Sequence, residues 1–282
     1  MKKIALIICA IMLLWGGAVS FKMLKKVLEW KNETEELIAL GFESQCTGPD
    51  FMARSDSAEH HLLCLGNSIT LHYPASTIPG ADPFWRGEWG MCASQRDSDY
   101  VHRLEKLLQK TNAKSTVVGE NIAAYERDFS LDLDSLIGKL CQGKDIIILK
   151  IGENVIDTEG YYKGFKRLAD YCLRFTPHVY IAGSYWKNVG KERAMVSVAR
   201  ERHLPYIPLF WIDELYRDQT NFKVGDTIYD IKGTPYPIAT DFIITHPNDK
   251  GMQMIADAIY VSMTKYEQNN KAIDIFYSEH SK

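Results

Sequence analysis

The chain has 282 residues, of which 46% are hydrophobic and 24% are charged, as in ordinary folded domains. Its 33 basic and 36 acidic residues give a net charge of -3 and are well mixed, so no basic stripe indicates a nucleic-acid partner. No tandem repeat or low-complexity tract is visible, which argues against a solenoid. A chain of this length can bury one large core or two smaller ones.

The first residues have the layout of an export signal. Met1-Lys2-Lys3 precedes an apolar run over residues 4–21, and Ala18-Val19-Ser20 suits a signal peptidase. The run is also just long enough to span a bilayer. Residues 1–21 are therefore predicted to be a signal peptide or a membrane anchor, and both remain open. We expect an exported protein that is periplasmic, secreted or anchored in the inner membrane.

Alternating apolar and amphipathic segments predict the fold. Residues 22–59 are predicted to form a helix and a connector, and residues 60–282 to form the folded domain. Strands that alternate with helices indicate parallel βαβ units, with helices on both faces of one sheet of about five strands. The order is flavodoxin-like if the first strand lies centrally. The predicted strands are 61–65, 115–119, 145–151, 177–183 and 205–210, and the predicted helices are 99–108, 133–140, 161–175, 192–202 and 252–263.

The strand predicted at 61–65 ends abruptly at Gly66-Asn67-Ser68. In open α/β sheets, chemistry takes place just beyond the carboxyl ends of the strands. A serine in a tight turn at that point holds its hydroxyl out of the sheet, as in a nucleophile elbow. We interpret Ser68 as a candidate nucleophile. The alternative is that these three residues only turn the chain, since all three types favour turns.

The loop over residues 71–95 is rich in Pro, Gly and aromatic residues. A loop of this length is usually functional or disordered, and its aromatic residues argue against disorder. Tyr73, Trp85 and Trp89, together with Trp186, suit the faces of sugar rings. The alternative is that these rings pack the loop as an apolar plug.

A serine nucleophile needs a base, and the oxyanion that forms needs hydrogen-bond donors. Of the eight histidines, His246 has the best setting, because it lies between an apolar, strand-like run and the final helix. That loop can fall at the same sheet edge as Ser68. Asn154 follows the strongest predicted strand and offers a neutral amide donor. No cluster of histidines and carboxylates indicates a metal.

Four segments occur in the order typical of the SGNH (GDSL-like) hydrolase superfamily: Gly66-Asn67-Ser68-Ile69-Thr70, Trp89-Gly90-Met91, Gly152-Glu153-Asn154 and His246-Pro247-Asn248-Asp249. Over about residues 61–266 the chain resembles this superfamily, in its Gly-Asn-Ser variant. The resemblance implies a three-layer α/β/α fold and ester hydrolysis or acyl transfer without a metal or an organic cofactor. It makes Ser68 the nucleophile and His246 its base. The Gly90 backbone N–H and the Asn154 side-chain amide would join the Ser68 N–H in the oxyanion hole.

The chain departs from the family pattern beside the histidine. The family places an Asp three residues before it, and this position is Ile243 here. Asp241 is one candidate to orient the ring, and a backbone carbonyl, a distant carboxylate or an unsupported Ser–His dyad are the others. Losing the orienting acid from an intact triad can cost about 10⁴ in rate.

The leading hypothesis is an exported serine esterase that removes acyl groups, especially acetyl groups, from a small-molecule or carbohydrate ester. A second hypothesis is a polysaccharide O-acyltransferase that uses the same residues. A third is a catalytically inactive SGNH fold that binds a glycan or a partner protein, for which the absent acid at position 243 is the best support. Contact with a membrane is expected only through an uncleaved N-terminal segment, and the sequence leaves the oligomeric state open.

Overall fold

A computed structural model describes residues 59–74 and 84–263, together with Asn32. The signal peptide or anchor predicted at 1–21 lies outside the described residues, as does almost all of the helix and connector predicted at 22–59. These predictions therefore stay predictions.

The chain divides into two compact units, Met1–Leu40 and Gly41–Lys282. Apart from Asn32, every described residue belongs to the second unit. Among the described residues, no helix has both the length and the apolar character needed to cross a membrane.

Five parallel strands form the central sheet, in the order β2-β1-β3-β4-β5. The predicted flavodoxin-like sheet with a central first strand is therefore confirmed. The strand order reverses at β1, so the carboxyl ends of β1 and β3 lie at the switch point where such sheets bind ligands. The strands are β1 (His61–Gly66), β2 (Thr116–Asn121), β3 (Ile146–Leu149), β4 (Val179–Ala182) and β5 (Tyr206–Ile207).

Helices cover the sheet and form the outer layers of the α/β/α fold. The longer ones are α1 (Tyr100–Gln109), α4 (Tyr161–Cys172), α5 (Val189–Arg202), α6 (Phe210–Thr220) and α8 (Asp249–Met263). The short ones are α2 (Ala123–Arg127), α3 (Lys139–Cys141, after a π-helical turn at Asp134–Gly138) and α7 (Asp241–Ile244). Helix α8 packs against α1 and α6, whereas α4 packs against α5. An antiparallel hairpin of β6 (Thr227–Tyr229) and β7 (Pro235–Pro237) precedes α7.

The structure corrects the predicted elements around the histidine loop, which is the segment 245–248 between α7 and α8 that contains His246. Phe210, predicted to end a strand, begins helix α6. The apolar run before His246, predicted to be strand-like, forms the short helix α7. Short apolar runs do not distinguish a strand from a buried helical turn. In α7 only Ile243 is buried, whereas Phe242 is 59% exposed, so one residue of the run enters the core.

Two buried tryptophans anchor the loop that follows β1. Trp85 is 1% exposed and Trp89 is 3% exposed, and their rings meet edge to face with centroids 5.9 Å apart. The indole N–H of Trp85 donates to the carbonyl oxygen of His72 at 2.9 Å. These two rings are therefore the apolar plug that was the alternative to sugar binding. Tyr73 and Trp186 keep exposed surface.

Replacing Trp85 by Ala is expected to lower the free energy of unfolding by about 3–5 kcal/mol, because it leaves a large cavity beneath the loop. Urea denaturation followed by circular dichroism measures this loss. Tyr73→Ala in the same loop is the control and is expected to change the free energy of unfolding by less than about 1 kcal/mol, since Tyr73 is 37% exposed. Equal losses for the two variants would contradict the packing role.

Candidate active site

Ser68 lies in a tight turn at the carboxyl end of β1. The Asn67 carbonyl oxygen accepts a hydrogen bond from Thr70 N at 2.9 Å, and the Asn67 side-chain oxygen accepts one from Ile69 N at 3.2 Å. Gly66 is required by the close approach of this turn, because a Cβ there would lie 1.8 Å from Thr70 Oγ1. The sequence Gly-Asn-Ser thus folds the chain back on itself and leaves the serine at the rim of the sheet.

Ser68 Oγ and His246 Nε2 lie 3.0 Å apart, although 178 positions separate the two residues. His246 occupies the loop between α7 and α8 and is 2% exposed. The structure therefore places at one sheet edge the two side chains that the sequence analysis pairs. The distance is within the range expected for a nucleophile and its general base.

A backbone carbonyl meets the other ring nitrogen of His246. Nδ1 lies 3.3 Å from the carbonyl oxygen of Phe242 and 3.5 Å from Thr245 Oγ1. Of the partners that the sequence left open, the carbonyl is the one observed, and Asp241 is not among the contacts of Nδ1. A carbonyl only accepts, so Nδ1 carries the proton and Nε2 is left to accept from the Ser68 hydroxyl.

Burial lowers the pKa of His246 to about 4, although the hydrogen bond to the Phe242 carbonyl works in the opposite direction. The edges and faces of two aromatic rings enclose the imidazole, with centroid distances of 5.2 Å to Trp186 and 5.5 Å to Phe242. The imidazole is therefore neutral at neutral pH, which is the state a general base needs.

Helix α6 and its end hold the histidine loop in place. Asn221 Nδ2 donates to the carbonyl oxygens of Ile244 at 2.8 Å and Thr245 at 3.1 Å. The indole N–H of Trp186 donates to the same Thr245 oxygen at 3.1 Å. Asn221 was missed from the sequence, because helix α6, which positions it, was not predicted.

Two buried carboxylates lie beneath the serine turn, where β1, β2 and β3 end. Glu126, from α2, is fully buried and accepts from Asn154 Nδ2 at 2.8 Å and from Asn67 Nδ2 at 3.3 Å. Burial, with the nearby Glu153, raises the pKa of Glu126. The predicted donor Asn154 is therefore placed at the same sheet edge, with one of its N–H groups bound to Glu126.

Glu153 is the second buried carboxylate and is paired with a buried cation. Its oxygens accept from Lys150 Nζ at 2.6 Å, Asn67 Nδ2 at 2.6 Å and Tyr185 N at 2.9 Å. Burial would raise the pKa of Glu153, but Lys150 and the other donors hold it below its ordinary value. Lys150 directly follows an apolar strand in the sequence, and a buried charge requires a partner. This lysine was therefore the sequence signal for the ion pair.

The backbone N–H of Gly90, which the resemblance assigns to the oxyanion hole, has an acceptor within the protein. Its N–H donates to Asp99 Oδ2 at 3.0 Å, and the next N–H, of Met91, donates to the Ser68 carbonyl oxygen at 2.8 Å. The buried Asp99 also caps α1 through His102 N, which draws this loop toward the helix. The place of Gly90 in the oxyanion hole therefore stays a prediction. The Ser68 N–H has no acceptor among the residues that the structure describes.

A cavity of about 460 Å³ opens beside the histidine loop. Trp186, whose ring contacts His246, forms part of its lining, together with Ile244 and Thr245. Its polar lining includes Asp213, Arg217, Asp218, Asn221, Lys223 and Asp241. Over the described part of the chain, no group of His, Cys, Asp and Glu side chains is arranged to hold a metal ion.

Comparison with solved structures shows what this fold is similar to. A two-domain esterase active on acetylated mannans matches with a TM-score of 0.51 and 16% identity, over 79% of this chain and 54% of that one, so this chain spans about half of its length. An acetylxylan esterase from Geobacillus stearothermophilus matches with a TM-score of 0.45 and 15% identity, over 75% of this chain and 100% of that one. A protein described as a GDSL-like lipase, from Parabacteroides merdae, matches with a TM-score of 0.48 and 14% identity, over 76% and 99% of the two chains.

At 16% identity, the likeness to the two-domain esterase shows a shared fold and nothing beyond the fold. No protein-family model matches the chain, and no curated protein is similar to it in sequence.

The His246 imidazole is expected to titrate near pH 4 rather than near 6.5, because burial disfavours its charged form. The chemical shift of its Cε1 proton, followed by NMR from pH 3 upward, measures the midpoint. The resonance is assigned with His246→Gln. A midpoint at or above about 6.5 would show that the ring is solvated and would contradict the buried geometry.

Asn221→Ala is expected to raise the pKa of His246 toward 6.5, because the loss of two hydrogen bonds lets the histidine loop open to water. The same NMR titration measures the shift. The control is Asn112→Ala in the turn after α1, where the side chain accepts from Lys114 N at 2.9 Å. This variant is expected to lose about 1 kcal/mol of stability and to leave the His246 midpoint unchanged. Asn221→Ala is expected to lose more, because Asn221 Oδ1 also accepts from the Tyr185 hydroxyl at 3.0 Å. An unchanged His246 midpoint in Asn221→Ala would contradict the role of Asn221, at the end of α6, in holding the histidine loop in place.

Proposed function

We propose that the protein is a serine ester hydrolase that removes acyl groups, especially acetyl groups, from carbohydrate. The observation that carries this proposal is the 3.0 Å contact between Ser68 Oγ and His246 Nε2 at the switch point of the sheet. The Phe242 carbonyl fixes the tautomer in which Nε2 accepts the serine proton.

In the proposed reaction, Ser68 Oγ attacks the ester carbonyl carbon while His246 Nε2 takes the hydroxyl proton. The resulting oxyanion accepts hydrogen bonds from the Ser68 N–H and from the Asn154 N–H that Glu126 does not use. Collapse of this intermediate breaks the bond to the alcohol oxygen, which receives the proton from His246. Water then attacks the acyl-serine by the same steps and releases the acid.

A carbonyl in place of a carboxylate has a kinetic consequence. The Phe242 oxygen orients the ring but has no full negative charge to stabilise the imidazolium that forms during attack. Burial, which lowers the pKa of His246, also makes it a weaker base. We therefore expect a slower enzyme than one with a complete acidic triad.

The carbohydrate part of the proposal is supported by Trp186, whose ring contacts His246, and by the cavity that Trp186 lines, although neither Ser68 nor His246 lines that cavity. A partly exposed indole suits the apolar face of a sugar ring, and the carboxylates and guanidinium around it suit sugar hydroxyls. The activity of the similar two-domain esterase on acetylated mannans points to the same substrate class. Export, as residues 1–21 predict, is proposed as the route by which the protein meets such substrates.

Hydrolysis of 4-nitrophenyl acetate by the purified protein tests the proposal. Ser68→Ala and His246→Ala are each expected to lower kcat/KM at least about 10³-fold, because nucleophile and base act as a unit. Ser197→Ala and His203→Ala, on and just beyond helix α5, are the matched controls and are expected to keep wild-type rates.

Acetylated xylo- and manno-oligosaccharides extend the test to the substrate class. Release of free acetate supports the hydrolase, whereas acetate appearing on an added unacetylated oligosaccharide would identify an acyltransferase. Retained binding of these oligosaccharides by wild type and Ser68→Ala, without any hydrolysis in either, would overturn the proposal in favour of a binding protein.

A further inference from the structure

We propose that Glu126 is a positioning residue whose ionised carboxylate holds the Asn154 amide in place for the oxyanion. This inference rests on the proposed function, because it concerns the same site. It was not visible in the sequence, where Glu126 lies in a short, unpredicted helix.

Every hydrogen-bond partner of Glu126 is a donor. Its two oxygens accept from the side-chain nitrogens of Asn67 and Asn154 and from the backbone N–H groups of Gly152, at 2.5 Å, and Asn154, at 3.3 Å. A carboxyl group surrounded only by donors serves as acceptor alone, which is the behaviour of the ionised form. The carboxylate is also fully buried, so these donors take the place of water.

The carboxylate binds Asn154 at two points, the backbone N–H through Oε1 and the side-chain amide through Oε2. This double contact fixes the side-chain torsions of Asn154 at the end of β3. An amide nitrogen carries two N–H groups, and Glu126 takes one of them, which leaves the second for an oxyanion. Donors that are held before the reaction stabilise a developing charge without reorganisation.

The same carboxylate accounts for Asn67 in the Gly-Asn-Ser segment. Asn67 Nδ2 donates to Glu126 at 3.3 Å and to Glu153 at 2.6 Å, while Lys150 Nζ contacts Glu153. An Asp at position 67 would place a third carboxylate against two that already share this region with one cation. The amide is therefore the residue that this pair of acids requires.

Glu126→Gln is the test, because it keeps the size of the side chain but turns one acceptor oxygen into a donor that faces other donors. For 4-nitrophenyl acetate we expect kcat to fall about 10²-fold, as for the loss of one oxyanion donor, with KM changed less than about twofold. The matched control is Glu192→Gln. Glu192 is equally buried and accepts from Ser184 N at 3.0 Å and from the Tyr206 hydroxyl, so this variant is expected to lose stability and keep kcat.

A double-mutant cycle separates positioning from a general loss of structure. Asn154→Ala is expected to lower kcat as Glu126→Gln does, and the double variant is expected to be no slower than Asn154→Ala alone, because Glu126 acts through Asn154. Multiplicative losses would overturn the proposal. So would equal kcat losses in Glu126→Gln and Glu192→Gln, or a Glu126→Gln variant with wild-type kcat.

The side-chain N–H resonances of Asn154 give a readout that does not depend on turnover. They are assigned with Asn154→Ala and are expected to move in Glu126→Gln and to stay in place in Glu192→Gln. If Glu126→Gln does not fold, Glu126→Asp replaces it, with a smaller loss of kcat and the same non-additivity with Asn154→Ala expected. Should Ser68→Ala keep full activity, the proposed function fails, but the Asn154 resonances still decide whether Glu126 holds this amide.

Discussion

The burial of two carboxylates under one turn constrains the rest of this site. A charge removed from water is tolerated only when hydrogen bonds and a counter-ion replace the lost hydration. Glu126 and Glu153 therefore require donors from each strand end around them. Lys150 supplies the cation, Asn67 supplies an amide to both acids, and Gly152 turns the backbone so that its N–H reaches Glu126.

This arrangement links local sequence to reactivity. The turn at Asn67, which donates to both buried acids, also places Ser68 at the rim of the sheet, beside the histidine loop. Gly152 has φ +145° and a Cβ there would lie 2.8 Å from Ser184 Oγ, so only glycine fits the end of β3. Packing, charge balance and the position of Ser68 are thus aspects of one arrangement.

The histidine loop orients the His246 ring without a carboxylate. Its ring is neutral, buried and oriented by a carbonyl, so no negative charge is needed beside it. Asn221, at the end of α6, and Trp186, in the loop after β4, both donate hydrogen bonds to the histidine loop. The position of His246 therefore depends on elements that are distant in sequence from Ser68. The absence of an acid at position 243 is then compatible with a fixed tautomer.

The sheet, its order and the meeting of Ser68 with His246 could be predicted, because strand ends in a parallel sheet share one edge and the apolar segments were well separated. Helices α2, α6 and α7 could not, because short amphipathic runs such as that at Phe242 carry no clear period. Glu126 and Asn221 were missed with those helices. The hydrogen bond from the Gly90 N–H to Asp99 could not be predicted either, because a motif gives the residue type but not the direction of its N–H.

Reaction with a fluorophosphonate shows whether Ser68 is a nucleophile that His246 activates. We expect the purified protein to form one adduct, mapped by mass spectrometry to Ser68, and labelling to be lost in Ser68→Ala and at least about 10³-fold slower in His246→Ala. Labelling at another residue, or equal labelling rates in wild type and His246→Ala, would contradict it.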